Sequence, residues 1–185
     1  MWTTSQSLIA SQSVAGSAPR TGKVEREGAR VLLLSEDGKL LALRGHDPHL
    51  PSRSWWFTPG GGVEGSETLR EAAARELAEE TGYVVTPEEL IGPVWERTAY
   101  FDFMSRPYVQ HEYFFVARLA DADAGPAAAF SWTADEQETI DEIAWLTQHE
   151  LKHSSIEVFP EQLREAWDVF TGWDGTLISL GEAYE

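Results

Sequence analysis

The apolar positions of this chain fall into short blocks separated by polar turns, a pattern typical of β-strands. The segments ARVLLL and KLLALR flank Ser35-Glu36-Asp37-Gly38, and an Asp-Gly turn between two apolar runs predicts a β-hairpin. Residues 45–54 are rich in proline and polar side chains, which indicates a loop. The aromatic strand Trp55-Trp56-Phe57 follows and leads into Gly60-Gly61-Gly62, where the backbone is expected to approach another group closely.

Further blocks predict more strands, at Val94–Phe103, Tyr108–Leu119 and Ile140–Leu146. Residues 120–139 are small and acidic and are interpreted as a linker. Pro160 followed by EQLREAWDVF predicts a helix of about three turns that ends near Gly172, and TLISL predicts a short strand after it.

The strongest helix signals lie between residues 68 and 82. Thr68 followed three positions later by Glu71 is a capping box, and Gly82 suits the left-handed residue that ends a helix. These signals predict a helix from Leu69 to Thr81. Its acidic face would carry Glu76 and Glu79–Glu80, with small and apolar residues on another side.

The predicted organisation is a single domain with short extensions. Residues 1–25 mix Ser, Ala, Gly and Thr without strand or helix periodicity and are expected to be a flexible leader. Residues 26–172 would form the domain and 173–185 a C-terminal extension. A signal peptide is not indicated, and the longest apolar runs fall far short of the roughly 20 residues that span a bilayer. We therefore expect a cytoplasmic protein that does not bind membranes.

Charge and composition narrow the function classes. Lys and Arg total 14 against 31 Asp and Glu, for a net charge of −17, which disfavours long nucleic acids and anionic membranes. The absence of cysteine excludes disulfides, thiolate catalysis and Cys-ligated metals. An anionic ligand would need a divalent cation between it and this acidic protein. Partners are expected to be small molecules, and the protein a monomer or homodimer.

The three glutamates of the predicted helix face repel one another at i, i+3 and i+4. Hard oxygen ligands at this spacing suit Mg²⁺ or Mn²⁺, which bind substrate phosphates while keeping several waters. An acidic solvated helix face would explain the same residues without any metal.

Residues 61–83 resemble the Nudix box, the signature of the Nudix hydrolase family. The matching positions are Gly61, Glu67, Arg75, Glu76, Glu79, Glu80 and Gly82. Tyr83 departs from the smaller aliphatic residue usual in the family, but that position packs rather than reacts. The rest of residues 24–170 resembles the family loosely, through the order of its strands.

The resemblance implies an α/β/α sandwich around a mixed sheet and hydrolysis of a nucleoside diphosphate linked to another moiety. It implies that Glu76, Glu79 and Glu80 are ligands of Mg²⁺ or Mn²⁺ and that the Gly61 carbonyl is a further ligand. Arg75 would orient a carboxylate. Glu67 would be a secondary or structural acid.

The general base and the substrate contacts lie outside the box or are left open by it. Candidate bases are Glu112, Glu136, Glu138 and Glu142, unless the base is in the box itself. Candidate substrate contacts are Trp55, Trp56, Tyr100 and Arg44, with Arg53, Arg97 and Arg106 as further cations. Because neighbouring strand residues face opposite sides, one of the two tryptophans should enter the core and the other should face the ligand. His111 is expected at the pocket edge.

Two other functions compete with hydrolysis. A fold of this family without catalysis would be a metabolite-binding or sensor module, and an acidic interaction domain would have no active site at all. The intact box favours the enzyme.

Overall fold

A computed structural model describes residues 24–103, 106–119, 125–127 and 132–185. Its strands are β1 (Val24–Leu34), β2 (Leu40–Asp47), β3 (Leu50–Phe57), β4 (Gly60–Gly62), β5 (Ile91–Phe103), β6 (Arg106–Arg118), β7 (Ile140–Leu146), β8 (Glu157–Phe159) and β9 (Ile178–Tyr184). The helices are α1 (Leu69–Thr81), α2 (Ala134–Thr139), α3 (Gln148–Lys152) and α4 (Asp168–Gly172), with 3₁₀ turns at Pro87–Glu89 and Glu161–Arg164. The predicted leader lies outside these residues except at its last positions, as does much of the predicted linker.

The strands described form one mixed sheet in the order β8-β3-β2-β1-β6-β5-β9, with β4 paired to β1 and β7 to β2. Strand β1 lies at the centre, parallel to β6 and antiparallel to β2 and β4. Its side chains alternate between two apolar clusters: Val31 and Leu33 pack with α1, whereas Leu32 and Leu34 pack with Leu151 and other residues on the opposite face. The predicted α/β fold around a mixed sheet is therefore confirmed.

Helix α1 forms at the predicted residues because its end signals are local. The Thr68 side chain accepts from the Glu71 backbone, the Glu71 side chain accepts from the Thr68 backbone, and Gly82 closes the helix at φ 73°. Ala73 and Leu77 are fully buried against the sheet. Tyr83 lies in the same cluster, as predicted, and its ring contacts Trp145 edge to face at a centroid distance of 5.5 Å.

The loop predicted at residues 45–54 is wrong, since β2 continues to Asp47 and β3 begins at Leu50. The strands pair as far as Asp47 opposite Leu50. Pro51 is tolerated because β8 pairs with β3 only from Trp55 onward, so its missing N–H breaks no ladder with that strand.

The continuous helix predicted after Pro160 is also wrong. The segment forms a 3₁₀ turn and then the short helix α4. Arg164 donates to the carbonyls of Leu151 at 2.9 Å and Ile156 at 2.8 Å, while Leu163 and Phe170 both enter one apolar cluster. These tertiary contacts outweigh the helix propensity of the segment.

The strand predicted at TLISL is confirmed and extends to Tyr184. Strand β9 lies parallel to β5, with Trp95 opposite Ile178 and Tyr100 opposite Tyr184, so these residues widen the sheet. Among the described residues, no helix combines the length and apolar character that a membrane crossing requires.

Candidate active site

An open cavity of about 490 Å³ lies where β1, β3 and β4 meet α1, β5 and β6. The residues singled out from the sequence that line it are Arg53, Trp55, Gly61, Glu76, Glu80, Arg97, Glu112 and Glu136. Lining residues that sequence analysis missed include Arg26, Arg30, Phe159 and Glu185. The spacing of Arg26 and Arg30 on one strand places both on the same face, a signal that the sequence did contain.

The glycines of β4 allow α1 to lie against the backbone of the sheet. A Cβ at Gly61 would fall 2.4 Å from Glu76 Oε1, and one at Gly60 would fall 2.3 Å from the Ala29 carbonyl oxygen. Gly60 also adopts φ 142°, a conformation unfavourable for other residues. Any side chain at these two positions would therefore displace the Glu76 carboxylate or the central strand.

Glu80 is a buried carboxylate whose charge is poorly compensated. Its side chain accepts one hydrogen bond from the Gly60 backbone N–H at 2.8 Å, and the residue is 6% exposed. Burial raises its pKa to about 8 although the Gly60 N–H opposes the shift, and the nearby Glu76 charge raises it further. Burial likewise raises the pKa of Glu76, against the effect of Arg75. A bound divalent cation would stabilise the ionised forms of these two carboxylates, whose oxygen atoms are the ligands that such cations prefer.

Arg75 binds Glu67, which precedes α1, and two acids of the helix face. It donates to Glu67 at 2.7 Å, to Glu76 at 2.9 Å, to Glu79 at 2.9 Å and to the Gly62 carbonyl at 3.1 Å. The Glu79 side chain is 58% exposed and is not part of the cavity lining. In the described part of the chain, no group of three or more acidic or histidine side chains is gathered closely enough to hold a metal ion.

Glu112 is enclosed by donors. Arg30 Nε and Arg97 Nε each donate to it at 2.5 Å, and Gln110 Nε2 donates at 2.8 Å. Burial would raise the pKa of Glu112, but the two guanidinium groups outweigh burial and lower it. This environment favours a role in positioning the arginines over the general-base role that the sequence allowed. Arg30 also donates to the Thr58 carbonyl at 2.9 Å.

The two neighbouring tryptophans face opposite sides of the sheet. Trp55 lines the cavity, tilted against Phe159 at a centroid distance of 6.2 Å, with the Arg53 guanidinium 5.6 Å from its ring. Trp56 packs instead against the apolar cluster around Leu151. Arg53 donates to Glu157 at 2.7 and 3.1 Å, which fixes it beside the indole.

Several other predicted site residues lie outside the cavity lining. Arg44 pairs with Glu142 at 3.3 Å and with Asp141 at 3.8 Å. Tyr100 donates to Glu182 at 3.1 Å and stacks on Tyr184. Glu138 is exposed on α2, and His111 lies 3.0 Å from the Thr98 hydroxyl in a separate, smaller pocket. The Arg106 side chain lies outside the described part of the chain.

Comparison with known proteins gives one consistent family. The family model described as the NUDIX domain matches residues 24–166. The chain is 31% identical over 161 residues to the MutT-like protein of Streptomyces ambofaciens, covering 87% of each. It is 33% identical over 125 residues to the RNA pyrophosphohydrolase of Erythrobacter litoralis, covering 59% of this chain and 70% of that protein.

Other curated relatives match over a smaller part of their length. In two Bacillus subtilis proteins and one from Homo sapiens the match spans 66%, 33% and 30% of the relative. A solved structure, a Caenorhabditis elegans Ap4A hydrolase in a binary complex, superposes with a TM-score of 0.52 at 18% identity, covering 79% of this chain and 97% of the other. That likeness supports the fold.

Proposed function

Since this chain belongs to the Nudix hydrolase family, we propose that it hydrolyses a diphosphate linkage in a nucleotide-like substrate, with Mg²⁺ or Mn²⁺ as cofactor. The observation that carries the proposal is the placement of two carboxylates, the buried Glu80 and the partly buried Glu76, against the glycine strand of one cavity. The relative named RNA pyrophosphohydrolase supports this substrate class.

We assign the metal site to Glu76, Glu79 and Glu80, with the Gly61 carbonyl as a further ligand. A bound divalent cation would neutralise phosphate oxygens and lower the pKa of the attacking water. Arg75 would orient the carboxylates, as its bonds to Glu76 and Glu79 suggest. Glu79 would have to leave its present contact with Arg75 to join the other two.

Other residues of the cavity would bind the base and the phosphates of the substrate and supply the general base. The partly exposed Trp55 lines the cavity and would stack with a base, and stacking of this kind is worth about 1–3 kcal/mol. Arg30 lies in the same lining and would contact a phosphate oxygen through Nη2, because its Nε donates to Glu112 and its Nη1 to the Thr58 and Gly60 carbonyls. Of the proposed general bases, Glu136 lines the cavity and its charge influences Glu80, which makes it our first choice over Glu112, Glu138 and Glu142.

The proposal is tested by incubating the purified chain with Mg²⁺ and a library of nucleoside triphosphates, dinucleoside polyphosphates and nucleoside diphosphate sugars. Released phosphate and pyrophosphate are measured directly. We expect turnover of at least one class, abolished by EDTA and reduced at least about a hundredfold in Glu80→Gln. Nucleotide binding without turnover across the library would favour the alternative, a metabolite-binding module.

We also expect the protein to be cytoplasmic and to be a monomer or a homodimer.

A further inference from the structure

The last strand of the sheet carries an acid into the candidate active site. Strand β9 lies parallel to β5, and the Glu185 backbone N–H donates to the Tyr100 carbonyl at 2.9 Å. The Glu185 carboxylate then accepts hydrogen bonds from Arg97, with Nη2 at 3.4 Å from Oε2. Both residues line the cavity, and the Glu185 side chain is 13% exposed.

Arg97 donates hydrogen bonds to two carboxylates, and these two carboxylates differ in how many other donors they have. Its Nε donates to Glu112 at 2.5 Å, and its terminal nitrogens donate to Glu185. Glu112 has further donors in Arg30 and Gln110, so it is a fixed part of the sheet. Within the described part of the chain, the Glu185 carboxylate accepts its hydrogen bonds from Arg97. Burial raises the pKa of Glu185 although Arg97 opposes that shift, so ionised Glu185 is held less favourably than Glu112.

This part of the cavity carries more positive than negative charge. Three guanidinium groups, those of Arg26, Arg30 and Arg97, line it, and Glu112 pairs with two of them. Glu185 supplies the second carboxylate bound to Arg97. A phosphate presents oxygens to a guanidinium in the same two-pronged geometry as a carboxylate, so it would satisfy Arg97 equally well.

We propose that Arg97 binds an anionic phosphate group of the ligand and that Glu185 occupies that place until the ligand displaces it. The pair therefore sets the affinity for the phosphate end of the substrate, an inference that rests on the proposed function for the nature of the ligand. Because Glu185 competes from within the same chain, its removal should tighten binding rather than weaken it.

The experiment measures binding of inorganic pyrophosphate by calorimetry in EDTA, where no divalent cation can hold the probe at the acidic end of the cavity. We expect Glu185→Gln to bind pyrophosphate about fivefold or more tightly than the natural chain. Glu182→Gln is the matched control, since it removes the same charge three positions earlier, from an exposed residue of β9 whose side chain accepts from Tyr100, and its affinity should not change. Arg97→Gln should weaken binding, and adding Glu185→Gln to it should give no gain.

Weaker or unchanged binding in Glu185→Gln would overturn the proposal, because a residue that merely holds Arg97 in position would lower affinity when lost. If Arg97→Gln fails to fold, the contrast between Glu185→Gln and Glu182→Gln decides alone, with Glu185→Ser as a second replacement expected to behave like Glu185→Gln. Tighter binding by Glu185→Gln without turnover of any nucleotide would support this inference and refute the proposed function. Turnover of a nucleotide by the natural chain, with no change of pyrophosphate affinity in Glu185→Gln, would support the proposed function and refute this inference.

Discussion

Replacing Glu80 by Gln should make the protein more stable and less active, and the stability gain should depend on pH. The replacement keeps an oxygen acceptor for the Gly60 N–H, which lies 2.8 Å from the carboxylate, but removes the buried charge. Glutamine is close in size to glutamate, so the buried site at the end of α1 stays filled. The change therefore isolates the cost of ionising this carboxyl group.

The magnitude follows from the pKa of Glu80. An unfolded chain releases this proton near 4.5, whereas the folded protein holds it until about pH 8 because the group is buried. The free energy of unfolding should therefore fall as pH rises between these values, by at most about 1.4 kcal/mol per pH unit from this group. The loss is at most roughly 2 kcal/mol at pH 6 and roughly 4 kcal/mol at pH 8. Local relaxation and water entry will reduce both figures.

The assay is urea unfolding followed by tryptophan fluorescence at pH 5, 6, 7 and 8 in EDTA. The difference in unfolding free energy between Glu80→Gln and the natural chain should be small at pH 5 and should grow toward pH 8. Glu79→Gln is the control, because it removes the same charge from the same helix at a side chain that is 58% exposed. Addition of Mg²⁺ should stabilise the natural chain at pH 8 and stabilise Glu80→Gln less.

A difference that does not change with pH would refute the reasoning, because the charge of Glu80 would then cost nothing in the folded state. A Glu80→Gln protein less stable than the natural chain at pH 8 would refute it as well. In that case the ionised carboxylate would be a stabilising structural element, and the argument for a cation site would lose its physical basis.

Two further predictions concern the substrate and the proton. Trp56→Ala should lower the unfolding free energy by about 3 kcal/mol, whereas Trp55→Ala should leave the fold intact and raise KM for a base-containing substrate by the equivalent of about 1–3 kcal/mol. If both variants unfold and neither alters KM, base stacking on this strand is excluded. Among alanine variants of the candidate bases, Glu136→Ala should show a strong loss of kcat with unchanged metal affinity, as measured by metal titration and steady-state kinetics. Unchanged rates throughout would put the base in the box. The variants to compare are Glu112→Ala, Glu136→Ala, Glu138→Ala and Glu142→Ala.

Local signals made α1 predictable to the residue. The capping box at Thr68 and Glu71 and the left-handed Gly82 act within one turn of the helix ends. The helix expected after Pro160 failed for the opposite reason, since its course depends on Arg164 reaching carbonyls of a different segment. Sequence patterns reveal local signals such as helix caps, but they do not reveal contacts between distant segments.

The pairing of Arg97 with Glu185 could not be predicted for a similar reason. Arg97 and Glu185 are separated by 88 positions, and they meet only because β9 adds to the sheet beside β5. The sequence pattern of residues 173–185 predicts an extension of the domain and contains no signal that places Glu185 in a cavity. The position of β9 at the edge of the sheet brings Glu185 to the cavity, and this position is a tertiary feature that the local sequence does not specify.

Glu80 and Glu112 show why residue type alone could not assign the roles. Both are buried glutamates in the lining of the same cavity. Glu112 accepts from two guanidinium groups, which lower its pKa, whereas Glu80 accepts from one backbone N–H and has a pKa near 8. The first charge is already compensated, so the residue holds its arginines in place. The second is not, so a cation that enters the cavity gains more by binding beside Glu80 than beside Glu112.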